Sequence, residues 1–185
     1  MLHTKTNKIM NNIIKKNGVT YGIILGVFSI LVTTLIYVID LKLFTSWYVG
    51  VISLLVSLVI GVVLLIKTKK EMNGIISFKE AFTTYFIAAA IGSTLSIIFN
   101  IILWNVVDPE AKGTLTDLTI KYSVEMMEKF GAPASEVDKA VATLRKEDPY
   151  SPINQLKGLA YSLIGGAVLG LILALIFKSK PAYKE

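Results

Sequence analysis

Apolar and polar positions are segregated along the chain. Four stretches, residues 20–39, 47–66, 82–107 and 158–177, contain no charged side chain, and the charges gather between them. Twenty helical residues rising about 1.5 Å each reach roughly 30 Å, the thickness of a bilayer's hydrocarbon core. Lipid offers backbone N–H and C=O groups no hydrogen-bond partner, so a crossing stretch of this composition is helical. The pattern predicts an all-α membrane protein whose four transmembrane helices form a bundle.

Residues 108–157 follow another pattern. Leu118, Tyr122, Met126 and Phe130 recur every four positions, beside a charged row of Lys121, Glu125 and Lys129. Gly131 and Pro133 end that helix, and Ser135-Glu136-Val137-Asp138 offers a capping-box-like start for a second one. The apolar face of the second is Val137, Ala140, Val141 and Leu144, and Pro149 and Pro152 close the connection. An extramembrane helical hairpin between helices 3 and 4 is expected, too small to hold a core alone. Leu118, Tyr122, Met126, Phe130, Val137, Val141 and Leu144 are its candidate interaction face, toward the bundle, the membrane surface or a partner.

Small and hydroxyl residues spaced by four run along every apolar stretch. The first carries Gly18, Gly22 and Gly26, and the second Ser53, Ser57 and Gly61. The third has Thr84, Ala88, Gly92, Ser96 and Asn100, and the fourth Gly158, Ser162, Gly166, Gly170 and Ala174. Lipid supplies no hydrophobic drive for helices to associate, so they pack by the close backbone approach that small residues allow. These stripes are expected to pack the bundle; the alternative is that one of them, the fourth first, joins two copies of the chain. Asn100, an amide within the third stretch, is expected to bond across helices, the alternative being that it lines a substrate path.

Lysine placement predicts orientation. The leader holds Lys5, Lys8, Lys15 and Lys16, the connection 67–81 holds Lys67, Lys69, Lys70 and Lys79, and the tail holds Lys178, Lys180 and Lys184, whereas the link 40–46 holds only Lys42. Cytoplasmic flanks carry the excess of basic residues, so both termini and the middle connection are expected inside and the hairpin outside. Trp47 and Trp104 then fall at outer helix ends, where interfacial anchors belong. Ser77 and Glu80 form a capping box opening the third helix, and Gly74 marks a turn before it. Met72, Ile75, Ile76 and Phe78 are expected at the inner headgroup level or in a solvated loop.

Composition agrees with this and excludes several chemistries. Apolar residues make up 54% of 185 positions and mean hydropathy is +0.64, more than a soluble single core of this size hides from water. The net charge of +6 flanks apolar stretches instead of forming a basic groove with interleaved aromatics, which speaks against nucleic acid. The first stretch is too long for a signal-peptide core, about 7 to 15 residues, and is read as a retained span. There is no cysteine, and His3, in a leader expected to be flexible, is the only histidine; no triad or histidine–cysteine metal site can be built from one chain. The carboxylates of residues 108–157 follow helix surfaces, without the register of a calcium loop. No cofactor, metal or catalytic residue is expected, and without an ionisable side chain inside the spans proton or ion coupling is disfavoured.

The segment Ile76-Ser77-Phe78-Lys79-Glu80-Ala81-Phe82, leading into a long third span, is similar to that of small bacterial four-span membrane proteins classed as domain of unknown function 4199. Lys129-Phe130-Gly131-Ala132 at the hairpin turn and a glycine-rich last span extend the resemblance over most of the chain. It implies location and architecture and brings no activity. The expected function is that of a non-enzymatic protein of the bacterial inner membrane, presenting its outer hairpin to a membrane or envelope partner. The alternative is an oligomeric channel or transporter accessory subunit.

Overall fold

The computed structural model describes residues 2–179, with side-chain surroundings from residue 9 onward. His3, Lys5 and Lys8 as side chains, and Lys180 and Lys184 altogether, lie outside the described residues. Among the described residues the chain is all-helical, with six α-helices. They are α1 (Leu2–Ile39), α2 (Trp47–Glu71), α3 (Phe78–Ile102), α4 (Pro109–Lys129), α5 (Ala134–Glu147) and α6 (Pro152–Phe177). A 3₁₀ segment, Leu41–Thr45, joins α1 to α2, and a π-helical turn, Leu103–Val107, extends α3.

Four of these helices are long and apolar enough to cross a membrane: Ile9–Ile39, Trp47–Glu71, Phe78–Val107 and Pro152–Phe177. Each outlasts its apolar stretch. α1 runs back through the leader expected to be flexible, α2 continues through Lys67, Lys69 and Lys70, and α6 starts six residues before Gly158. Backbone hydrogen bonding continues past the last apolar residue because long lysine stems let ammonium groups reach the interface.

Each helix boundary has a local cause. The Ser77–Glu80 capping box opens α3, with the Ser77 hydroxyl accepting from the Glu80 N–H and the Glu80 carboxylate accepting from the Ser77 N–H at 2.8 Å. Gly74, at φ +81°, makes the turn before it. Asp108 caps α4 and Ser151 caps α6, each followed directly by proline, whose missing N–H costs nothing there. The second capping box does not form: α5 begins at Ala134 with Pro133 as its N-cap and no side-chain cap bond, because the chain turns into helix right after Gly131.

α3 is the central helix. It packs most extensively on α1 and next on α6, whereas α2 leans on α1 and barely meets α6. The distribution of residue sizes is the reverse of a soluble bundle's. Leu31, Leu35, Leu54, Leu55, Leu175 and Ile176 are exposed while Ala88 and Gly92 are buried, so large apolar groups face outward where lipid covers them. At the end holding the α2–α3 turn, Ile14, Leu65, Met72, Ile76, Tyr85 and Leu173 form one buried cluster. Met72 and Ile76 therefore belong to the bundle core, and of the four residues expected at the headgroup level only Ile75 and Phe78 are exposed.

Candidate functional site

The glycines of α1 fit into α3. A Cβ built on Gly22 would lie 2.7 Å from the Ile91 Cβ, and on Gly18 2.9 Å from the Ile87 Cβ. Gly26 meets Leu95, and Gly92 meets Leu25 of α1 in return. Backbones this close admit no side chain, which is why both stripes are glycine-bearing. Ser29 and Ser96, sharing a hydrogen bond of 2.7 Å, close the seam.

The stripe on α6 divides in two. Gly170 lies against Phe82 and Tyr85, and Gly166 against Ala89, so this half packs on α3. Gly158 and Gly165 have open space around them and Ser162 is exposed. Ser162, expected as a packing residue, therefore makes no helix seam: α6 diverges from α2 at this level and Ser162 borders a cavity instead. Tyr85 marks the point of divergence, with its ring wedged between Gly170 and Gly61 of α2.

At the α4 end, Trp104 is fully buried. Its ring meets those of Tyr37, Phe44 and Tyr150 edge-on, with centroids 5.8, 5.6 and 6.4 Å away. The indole N–H donates to Asn100 Oδ1 at 3.0 Å, and the Asn100 amide donates to the Ser96 carbonyl. Two expectations change here. Trp104 is the hub of an internal cluster and not an interfacial anchor, since the 3₁₀ segment and Tyr150 fold over it. Asn100 bonds within its own helix, where the Trp104 indole one turn along supplies the donor. Trp47, by contrast, is 72% exposed.

Polar bonds extend the hub to α4. The Tyr37 hydroxyl donates to Asp108 Oδ2 at 2.8 Å, while Asp108 Oδ1 accepts from the Ala111 N–H. The Ala111 N–H first, and the Tyr37 hydroxyl next, hold the Asp108 carboxyl below its ordinary value by favouring the charged form. Burial pushes the Tyr150 phenol up. Lys112 pairs with Asp148 at 2.9 Å, and Asp148 sits in the left-handed region at φ 44°, which aspartate tolerates better than most residues. Leu115, beside Trp104 in the buried cluster, fastens α4 to the bundle.

α5 packs on α4, and Arg145 reaches Asp117 at 3.7 Å. Of the candidate interaction face, Val137 is buried and Leu118, Met126, Val141 and Leu144 are half-buried. Tyr122 is exposed, and Phe130, at the turn, is 80% exposed. The charged row expected beside them is partly realised: Lys121 and Glu125 stand 4.0 Å apart.

At the opposite end the polar groups join helices. The buried Asn17 amide donates to Thr68 Oγ1 and to Glu71 Oε2, and Lys69 donates to the Phe177 carbonyl. Ser179 and Ile76 exchange two bonds, Ile76 N–H to the Ser179 hydroxyl and Ser179 N–H to the Ile76 carbonyl. Among the described residues no three His, Cys, Asp or Glu side chains meet in a way that could hold a metal ion.

A cavity of about 380 Å³ lies above Tyr85, with Ser29, Ser57, Ser93, Ser96 and Ser162 in its walls. Three of these five serines, Ser57, Ser96 and Ser162, stand in the small-residue stripes of the sequence; Ser29 and Ser93 do not, and nothing in the sequence joins Tyr37, Tyr85, Asp108 and Tyr150 into a framework. The legible signal was local: the pairs Asn100/Trp104 and Asp108/Pro109 stand next to each other at the end of the third apolar stretch.

No curated protein and no solved structure matches the chain. A family model described as protein of unknown function (DUF4199) matches residues 20–179, and the chain belongs to that family.

Proposed function

We propose that this is a non-enzymatic, multi-pass protein of a bacterial inner membrane. Both termini lie in the cytoplasm, and the bundle mounts α4 and α5 on the outer face for contact with a membrane or envelope partner. The lysines of the leader, the α2–α3 connection and the tail support the orientation, as does the exposed Trp47 at the opposite end.

The observation that carries the reading is the fully buried Trp104. It ties α1, the 3₁₀ segment, α3 and Tyr150 together beneath α4, so the helix pair has a rigid base. Much of the apolar face expected to meet a partner is already covered, which leaves Phe130, Tyr122 and the charged side of α5 to do so. A photo-crosslinking residue at position 130, activated in native membranes, is expected to give one discrete adduct with another membrane or envelope protein. The same residue at Val59, on the lipid side of α2, is the control. Equal adduct patterns at the two positions would sink the interaction reading.

The serine-lined cavity favours a second reading, an oligomeric channel or transporter accessory subunit. That reading requires solute flux through purified protein in liposomes above the level of empty vesicles.

A further inference from the structure

The cavity above Tyr85 does not end at its own walls. Ser29 and Ser57 also border a second cavity of about 220 Å³ between α1 and α2, which Phe28, Thr33 and Ser53 help to line. Phe44 and Gly50 border both this second cavity and a third, of about 500 Å³, under Thr119, Tyr122 and Tyr150 beside Trp47. In series the three make one passage along α2, walled there by Gly50, Ser53 and Ser57 and closed at Gly61 by the Tyr85 ring. These positions are spaced by three and four, and from Gly50 to Gly61 the helix rises about 16 Å. The passage opens at the level of α4 and stops at Tyr85, below which Leu64, Leu65 and Ala81 are fully buried.

No Asp, Glu, Lys or Arg lines any part of it. An ion or a phosphate would lose its hydration there without compensation. Some of the lining hydroxyls have their protons committed to backbone carbonyls. Ser57 donates to the Ser53 carbonyl, Ser162 to the Leu159 carbonyl, and Thr119 to the Leu115 carbonyl. The Thr119 proton being committed, the Tyr150 hydroxyl donates the 2.7 Å bond between them. Each of these oxygens keeps lone pairs, while the Trp47 indole N–H and the Tyr122 hydroxyl at the mouth are donors, so the walls offer uncharged acceptors and donors between apolar surfaces. A slender apolar chain fits such a passage, and a neutral hydroxyl head, which both donates and accepts, fits its mouth.

We propose that this passage is a binding site for a neutral single-chain lipid alcohol, its chain directed toward Tyr85 and its hydroxyl head at Thr119 and Tyr150. The site stands on the shared cavity walls and has only Tyr122 in common with the surface proposed to meet a partner.

The glycines supply the test. A Cβ on Gly50 or on Gly165 meets nothing within 4 Å and both glycines border the passage, so leucine at either position is accommodated without touching backbone and is expected to narrow it. Gly158 is equally open but borders none of the three cavities, and Gly158→Leu is the matched control. The probe is a photoreactive lauryl alcohol added to full-length protein in nanodiscs, with adducts mapped by mass spectrometry. Labelling is expected to concentrate on the passage-lining segments of α2 and α6, and to fall at least tenfold in Gly50→Leu and in Gly165→Leu but not in Gly158→Leu. Monolauroylglycerol is expected to compete, and a lysophospholipid with an anionic head is not. If one leucine variant fails to fold, the other decides. Labelling spread over the lipid-facing surfaces, unchanged labelling in the leucine variants, or equal competition by the anionic lipid would each overturn the proposal.

Discussion

The hydroxyl of Tyr37, at the end of α1, donates to the carboxylate of Asp108, 71 residues later, at 2.8 Å. Asp108 is also the N-cap of α4, so one side chain both starts that helix and fastens it to the first span.

This arrangement makes the base of α4 acid-sensitive. The Ala111 N–H and the Tyr37 hydroxyl lower the pKa of Asp108, so its contribution to stability is complete above the ordinary aspartate value of about 4 and is lost as pH falls through the depressed one. Asparagine can also cap a helix but carries no charge to lose. Thermal unfolding in detergent from neutral pH downward is expected to show a larger acid loss for the wild type than for Asp108→Asn. Parallel curves would remove Asp108 from the account.

Trp104 fills the hub completely, and its truncation leaves a large cavity under α4. Phe or Trp to Ala in packed cores costs about 3–5 kcal/mol, and Trp104→Ala is expected in that range. Trp104→Phe keeps much of the apolar contact and loses the indole bond to Asn100, so it is expected to cost less. Limited proteolysis of the two variants gives the local reading: cleavage between α4 and α5 is expected to accelerate most in Trp104→Ala. Unaltered cleavage there would mean that the hub does not anchor the helix pair.

The α1–α3 seam gives opposite results for two glycines. A methyl group at Gly22 collides with Ile91 and with the Ala88 carbonyl, and overpacking of this kind costs about 1–3 kcal/mol. Gly113, in α4, has open space, and alanine there is expected to stabilise the helix by about 0.5–1 kcal/mol. Unfolding of Gly22→Ala and Gly113→Ala under the same conditions checks both signs. A neutral Gly22→Ala would show that the seam relaxes.

These glycines were legible in the sequence because close approach leaves a chemical trace: only a missing side chain lets Gly22 sit on Ala88. The Ser77–Glu80 box and the Gly74 turn were legible for the same reason, each being a local requirement met by particular residues. Trp104 was not. Its position at a helix end predicts an interfacial anchor, and what buries it is the return of Tyr150 and the fold of the Leu41–Thr45 segment, neither of which has a periodic signature. Ser162 stands outside the seams within the chain because a stripe of small residues records where packing is permitted, while the direction of α6 decides where it happens. The passage along α2 depends likewise on the divergence of α2 and α6, which only the tertiary arrangement determines.

The proposed topology holds α4 and α5 outside the cell while the α2–α3 connection stays within. The chain has no cysteine, so single cysteines report topology without background. Ser135, at the start of α5, and Ile75, in the α2–α3 connection, are both exposed. With an impermeant thiol reagent on intact cells, Ser135→Cys is expected to label at once and Ile75→Cys only after permeabilisation. Labelling of Ile75→Cys in intact cells, with Ser135→Cys protected, would invert the protein in its membrane and contradict the account.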